Sequence, residues 1–118
     1  MHIKHINSGQ ELEQAIMTGI ALVDFGAPWC GPCRAQEPIM EELSIRFKDR
    51  AIIAAMDVDR NKHTALKLGI KSIPTLTLYN NGREVQRFVG LQPAKTLADA
   101  IKANLLDNCH RDFNYGII

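Results

Sequence analysis

Ile20-Ala21-Leu22-Val23-Asp24-Phe25 is a short apolar run broken by one acid, the pattern of a buried strand. From Arg34 to Asp49 the apolar residues return at helical spacing, with Ile39, Leu43 and Phe47 on one face. A second apolar run, Ala51 to Val58, is short enough for another buried strand, and Arg60 to Leu68 reads as a helix that Gly69 can terminate. Thr75 to Tyr79 and Glu84 to Val89 are strand-like and flank Asn80-Asn81-Gly82-Arg83, where Asn-Gly predicts an antiparallel hairpin. At the N-terminus a short edge strand is expected around His2 to Ile6. A helix follows from Ser8, which has capping-box spacing to Glu11, turns Leu12, Ala15 and Ile16 inward and stops at Gly19. Pro93 suits a first helical turn, and Ala94, Leu97, Ala98, Ile101 and Leu105 form the apolar stripe of a final amphipathic helix.

The order strand, helix, strand, helix, strand, helix, strand, strand, helix implies an α/β mixed sheet with helices on both faces. A chain of 118 residues has the size of one domain with one core. With 46% hydrophobic and 23% charged residues it reads as an ordinary globular chain, neither disordered nor membrane-spanning. Its start lacks the apolar segment of a secretory signal, so an intracellular protein is expected. In that setting three cysteines point to catalysis, sensing or metal binding rather than to a disulfide framework. A net charge of +1 without a basic run gives no reason to expect nucleic acid or anionic lipid as partner.

Trp29-Cys30-Gly31-Pro32-Cys33 falls where the first buried strand hands over to a helix, and C-x-x-C in that context points to thiol-disulfide exchange. Only a thiolate attacks a disulfide, and an ordinary thiol is mostly protonated at neutral pH. Cys30 at a helix start would be favoured as the anion by unpaired N–H groups and the helix dipole, while Cys33 one turn later can reach back to it. Cys30 is therefore expected to attack and Cys33 to resolve. Gly31 and Pro32 carry no charge and Pro32 has no N–H to give, which favours a reductant. Core cysteines that never cross-link, or a zinc site that would need four ligands, are the alternatives. Asp24 is costly to bury unless satisfied, for instance by backbone N–H groups at the strand end.

Asp24-Phe25, Ala27, Trp29 to Cys33, Pro38, Ile73-Pro74-Thr75, Asn81-Gly82 and Gly90 together resemble the thioredoxin family over residues 3 to 106. The resemblance implies the thioredoxin fold, a central mixed five-stranded sheet with about four helices on both faces, in a domain spanning 1–106. Residues 107–118 form a C-terminal tail outside the family pattern. It implies a cytoplasmic, monomeric protein-disulfide reductase that serves electron transport and cell redox homeostasis without a bound cofactor. Its partners would be disulfide-containing protein substrates and a thioredoxin reductase as electron donor. An oxidase or isomerase, or a non-enzymatic partner-binding module, is the competing reading.

By the same resemblance Asp24 lies under Cys33 as its general base, burial lifting its pKa. Pro74 has a cis peptide bond facing the cysteines, rather than marking a simple trans turn, and Ile73 offers its backbone to a substrate strand. Trp29, Gly31, Pro32, Ile73, Pro74 and Gly90 would form the docking patch around Cys30, although Trp29 alone could equally be surface packing. Pro38 reads as a helix kink without direct chemistry. The chain departs from the family at Ala55, where a lysine is common near the aspartate, at Gly26, where a large aromatic is common, and at Pro28. Without that lysine Asp24 should titrate higher. In the tail, Cys109 is an ordinary thiol, a regulatory or dimer-forming one, or with His110 part of a metal site, and the tail aromatics and isoleucines either pack on the domain or fray.

Overall fold

The computed structural model describes residues 3–117, with side chains through residue 108. His2, Cys109, His110 and the tail aromatics lie outside the described side chains, and so do the expectations attached to them. The elements follow the expected order: β1 (Lys4–Ile6), α1 (Gly9–Ile16), β2 (Ile20–Gly26), α2 (Gly31–Arg46), β3 (Ala51–Asp57), α3 (Lys62–Lys67), β4 (Thr75–Asn80), β5 (Arg83–Val89) and α4 (Ala94–Ile117). They build one five-stranded mixed sheet in the order β1-β3-β2-β4-β5. β3 runs parallel to both β1 and β2, and β4 is antiparallel to β2 and β5.

Alternation along β2 divides the core. Ile20 and Leu22 face Met40, Leu43 and Phe47 of α2 and Leu97, Ala98 and Ile101 of α4. Ala21, Val23 and Phe25 face the opposite side, with Leu12 and Ala15 of α1. Because side chains alternate, Asp24 points to the same side as Ile20 and Leu22, toward α2. This single acid therefore lies on the layer that carries the cysteines.

Local chemistry accounts for most element ends. Ser8 caps α1 by accepting the Glu11 N–H at 3.1 Å, while Glu11 reaches back to the N–H of Asn7 at 2.8 Å. Asn81 and Gly82 have φ of 52° and 88°, the left-handed pair of a tight hairpin turn. The Asn81 side chain also accepts the Gly19 N–H at 2.7 Å, tying this turn to the entry of β2. Gly69, at φ 70°, closes α3 as expected.

Three boundaries shift. α2 begins at Gly31 rather than Arg34, so Cys33 stands inside its first turn. It ends at Arg46 rather than Asp49, because Phe47 O accepts the N–H groups of Arg50 and Ala51 in a turn that leads into β3. α3 begins at Lys62 rather than Arg60, since Asp57 Oδ1 draws the N–H groups of Asp59 and Arg60 into a turn at 2.9 and 3.4 Å. α4 is one continuous helix to Ile117, held to the end of β4 by Asn80, whose Nδ2 donates to Asn104 Oδ1 at 3.4 Å and Asn108 Oδ1 at 3.1 Å.

Candidate functional site

The carboxyl end of β2 and the amino end of α2 meet at the cysteines. Cys30 is the N-cap of α2, with extended backbone at φ −85° and ψ 119°, and its Sγ accepts the N–H of Cys33 at 3.2 Å. The same sulfur lies 3.9 Å from Ile73 O. Cys30 and Cys33 are joined as a disulfide, with Cα atoms 5.2 Å apart, inside the range such a bond accepts. The cross-link removes the reading of core cysteines that never meet. The N–H donor and the unpaired N–H groups of the helix start favour negative charge on Cys30 once the pair is reduced.

The other residues singled out in the sequence come from distant parts of the chain. Trp29 is 69% exposed, and its indole Nε1 donates to Asp59 Oδ2 at 2.6 Å. Gly31 and Pro32 are exposed on the first turn of α2, and Ile73, half-buried, packs against the cluster of Ala27, Cys30 and Cys33. The Ile73–Pro74 bond is cis, as expected, and Pro74 is buried. Gly90, at φ 94°, donates its N–H to Pro74 O at 2.8 Å, which ties the start of the β5–α4 loop to the cis-proline segment.

Asp24 lies behind the pair. Its side is only 7% exposed, and Oδ1 accepts no hydrogen bond among the described residues. The alternative of a carboxylate satisfied by backbone N–H groups at the strand end therefore fails for that oxygen. Burial pushes the Asp24 carboxyl up to about 7, and the negative charge of Glu37 on α2 adds to the effect. Its register partner across the β2–β3 ladder is Ala55, so no cation stands on that neighbouring position. Gly26 lets Cys33 pack close to β2: a Cβ there would stand 3.0 Å from Cys33 Sγ and 3.2 Å from its Cβ.

Two positions beside the site lacked a clear sequence signal. Gln36 is fully buried, one turn after Cys33, and clasps the backbone of Gln92 with both ends of its amide. Asp59 holds the exposed tryptophan, and only its position after Asp57, at the end of an apolar run, could have marked it. Among the described residues no group of three or more His, Cys, Asp or Glu side chains is placed to hold a metal ion, and no helix is long and apolar enough to cross a membrane.

The sequence model of the family described as Thioredoxin matches residues 3–103. A thioredoxin of Staphylococcus aureus is 40% identical over 95 residues, covering 80% of this chain and 91% of its own. Among solved structures, a mutant thioredoxin from Halobacterium salinarum superposes with a TM-score of 0.81 at 35% identity, over 86% of this chain and 89% of that one. The thioredoxin of Malassezia sympodialis superposes at 0.77 with 31% identity, over 87% and 90%. The chain belongs to the thioredoxin family, and its Cys30–Cys33 pair makes it a thiol-disulfide oxidoreductase of the protein-disulfide reductase kind.

Proposed function

We propose that Cys30 is the nucleophile and Cys33 the resolving thiol in the reduction of protein disulfides. The Cys30 thiolate attacks one substrate sulfur, forms a mixed disulfide and expels the other substrate sulfur as a thiolate, which takes a proton from water. Cys33 gives its proton to the Asp24 carboxylate and attacks Cys30 Sγ, which expels the second substrate thiolate and leaves the 30–33 disulfide. Two electrons pass from the cysteine pair to the substrate, and a reductase returns them. The observation that carries this assignment is the position of Cys30 as helix N-cap, with the Cys33 N–H donating to its sulfur at 3.2 Å. Asp24, raised to about 7, is matched to taking and releasing a proton near neutrality.

The docking patch in this reading is Trp29, Gly31, Pro32, Ile73, Pro74 and Gly90, with Ile73 offering its backbone to an extended substrate. The reaction belongs to the domain over residues 1–106, and the segment 107–118 lies outside it. The reading includes a monomer in a reducing, cytoplasmic setting, with disulfide-bearing proteins as substrates and a thioredoxin reductase as donor. No bound cofactor is required, because the two sulfurs hold both electrons.

The deciding measurement is the reduction potential of the 30–33 pair in thiol buffers, with Cys109→Ser as control, together with turnover of a protein disulfide. A potential near about −270 mV and loss of turnover in Cys30→Ser fit the reductase, while Cys33→Ser should accumulate the mixed disulfide. A potential of about −180 to −120 mV would instead assign an isomerase or oxidant. Full function without either sulfur would leave a binding module.

A further inference from the structure

We propose that the cavity behind the redox helix binds a small organic cation, an ammonium or guanidinium on a compact apolar body. The cavity measures about 790 Å³, within the size range of small-molecule sites. It lies between the β3–β2 end of the sheet and α2, and both Asp24 and Cys33 line it. None of the docking-patch residues Trp29, Gly31, Pro32, Ile73, Pro74 and Gly90 does. Cys33 thus borders a recess separate from the proposed docking patch around Cys30.

Small residues line this layer: Gly26 and Ala55 share the sheet face of Asp24, Cys33 packs directly against Gly26, Ala55 carries only a methyl group, and α2 packs over that face. Asp24 lines the space as a buried residue, only 7% exposed, and its Oδ1 has no donor among the described residues. A buried carboxyl lacking partners costs free energy that a charged N–H donor would recover. The charges of the wall select the sign of the occupant. Asp24 on β2, Glu37 and Glu41 on α2, and Asp57 on β3 face Arg60 and the His5 imidazole on β1, so acid exceeds fixed base. Asp57 already spends one oxygen on the turn N–H groups of Asp59 and Arg60, which leaves Asp24 and Glu37 as the principal recognition pair. Ile3, Met40 and Ala55, on the α2 side of the sheet, supply the apolar wall against which the body of the ligand would lie.

Occupancy has a defined pH dependence. The Asp24 carboxyl, at about 7, must lose its proton to pair with the cation. Its ionised fraction rises from about one tenth at pH 6 to about nine tenths at pH 8, so affinity should rise about tenfold over that interval. His5→Gln, measured at both pH values, separates the imidazole at the mouth from Asp24.

The test is an NMR titration of the full-length oxidised protein with 2-phenylethylamine, and with 2-phenylethanol as neutral isostere. Saturable amide shifts at Asp24, Cys33 and Ala55 are expected, with the amine binding several-fold more tightly than the alcohol and the tenfold pH gain present. Ala55→Lys puts an ammonium beside Asp24 and should weaken amine binding at least tenfold, whereas Ala55→Ser should retain it; the amide spectrum of each variant reports its fold. Absence of saturable shifts, equal binding of the alcohol, undiminished binding to Ala55→Lys, or shifts confined to the docking patch would overturn the proposal. The titration contains no disulfide substrate, so any of these results leaves the reductase assignment standing or falling on its own assay.

Discussion

Gln36 and Gln92 are joined by two hydrogen bonds, Gln36 Nε2 donating to Gln92 O at 3.0 Å and the Gln92 N–H donating to Gln36 Oε1 at 2.8 Å. Gln36 stands one turn after Cys33 on α2, and Gln92 follows Gly90 on the loop from β5. Gly90 in turn donates to Pro74 O at 2.8 Å. The clasp therefore links the redox helix to the loop that follows Gly90, through an amide that is fully buried.

Gln36→Leu keeps the volume of the side chain but takes both hydrogen bonds from the half-buried backbone of Gln92. A stability loss of about 1–3 kcal/mol is expected from the orphaned groups. The loosened loop should raise KM for a protein disulfide several-fold while leaving turnover of a small-molecule disulfide unchanged. Gln36→Glu can accept from the Gln92 N–H but cannot donate to its carbonyl, so it should restore KM in part. Equal losses on both substrates would assign Gln36 to stability alone.

Asp24 makes folding stability fall with pH. Its folded pKa of about 7 lies above the ordinary value of 3.8, so the native state holds the proton more tightly than the unfolded chain. Stability is then greatest below about pH 4 and declines as pH rises toward 7, by about 4 kcal/mol in all for this group. Asp24→Asn removes the titration and should stabilise the oxidised protein at pH 8 far more than at pH 4. Urea unfolding at both pH values checks this, and an unchanged pH slope in the variant would place the effect elsewhere.

Much of this architecture is legible in the chain because local signals agree with the global fold. The apolar run with a single acid, the C-x-x-C at its end and the Asn-Gly turn each carry their own structural meaning, and each stands where that meaning requires. Gln36 escapes such reading because glutamine in a helix normally faces water. Its position is on the apolar stripe with Cys33, Met40, Leu43 and Phe47, but the partner that makes burial tolerable is a backbone on a distant loop. The cavity is harder still to read. Its lining comes from three strands, α2 and the turn that precedes α3, and only the β2–β3 register places Gly26 and Ala55 on one face with Asp24.

The resolving step should follow the ionisation of Asp24. Attack by Cys33 requires a base, and a carboxyl at about 7 is mostly protonated at pH 6 and mostly anionic at pH 8. Decay of a mixed disulfide trapped on Cys30 should therefore accelerate about tenfold between these pH values. In Asp24→Asn the inflection near 7 should vanish and the rate at pH 8 should drop. Persistence of the inflection in that variant would show that another group accepts the proton.

Ala55→Lys tests why Asp24 titrates so high. Burial is the larger cause and Glu37 the smaller, and neither is offset by a cation on the adjoining strand, where Ala55 is the register partner of Asp24. A lysine there stands beside the carboxyl and favours its charged form, so the Asp24 pKa should fall below 7. The inflection of the resolving step should move down with it, and part of the stability lost at high pH should return. Side-chain carboxyl NMR reads the first quantity, stopped-flow kinetics the second and urea unfolding the third. Because one charge–charge contact governs all three, they must shift together. If the Asp24 pKa is the same in wild type and Ala55→Lys, the missing cation has no part in its elevation, and burial with Glu37 accounts for it alone.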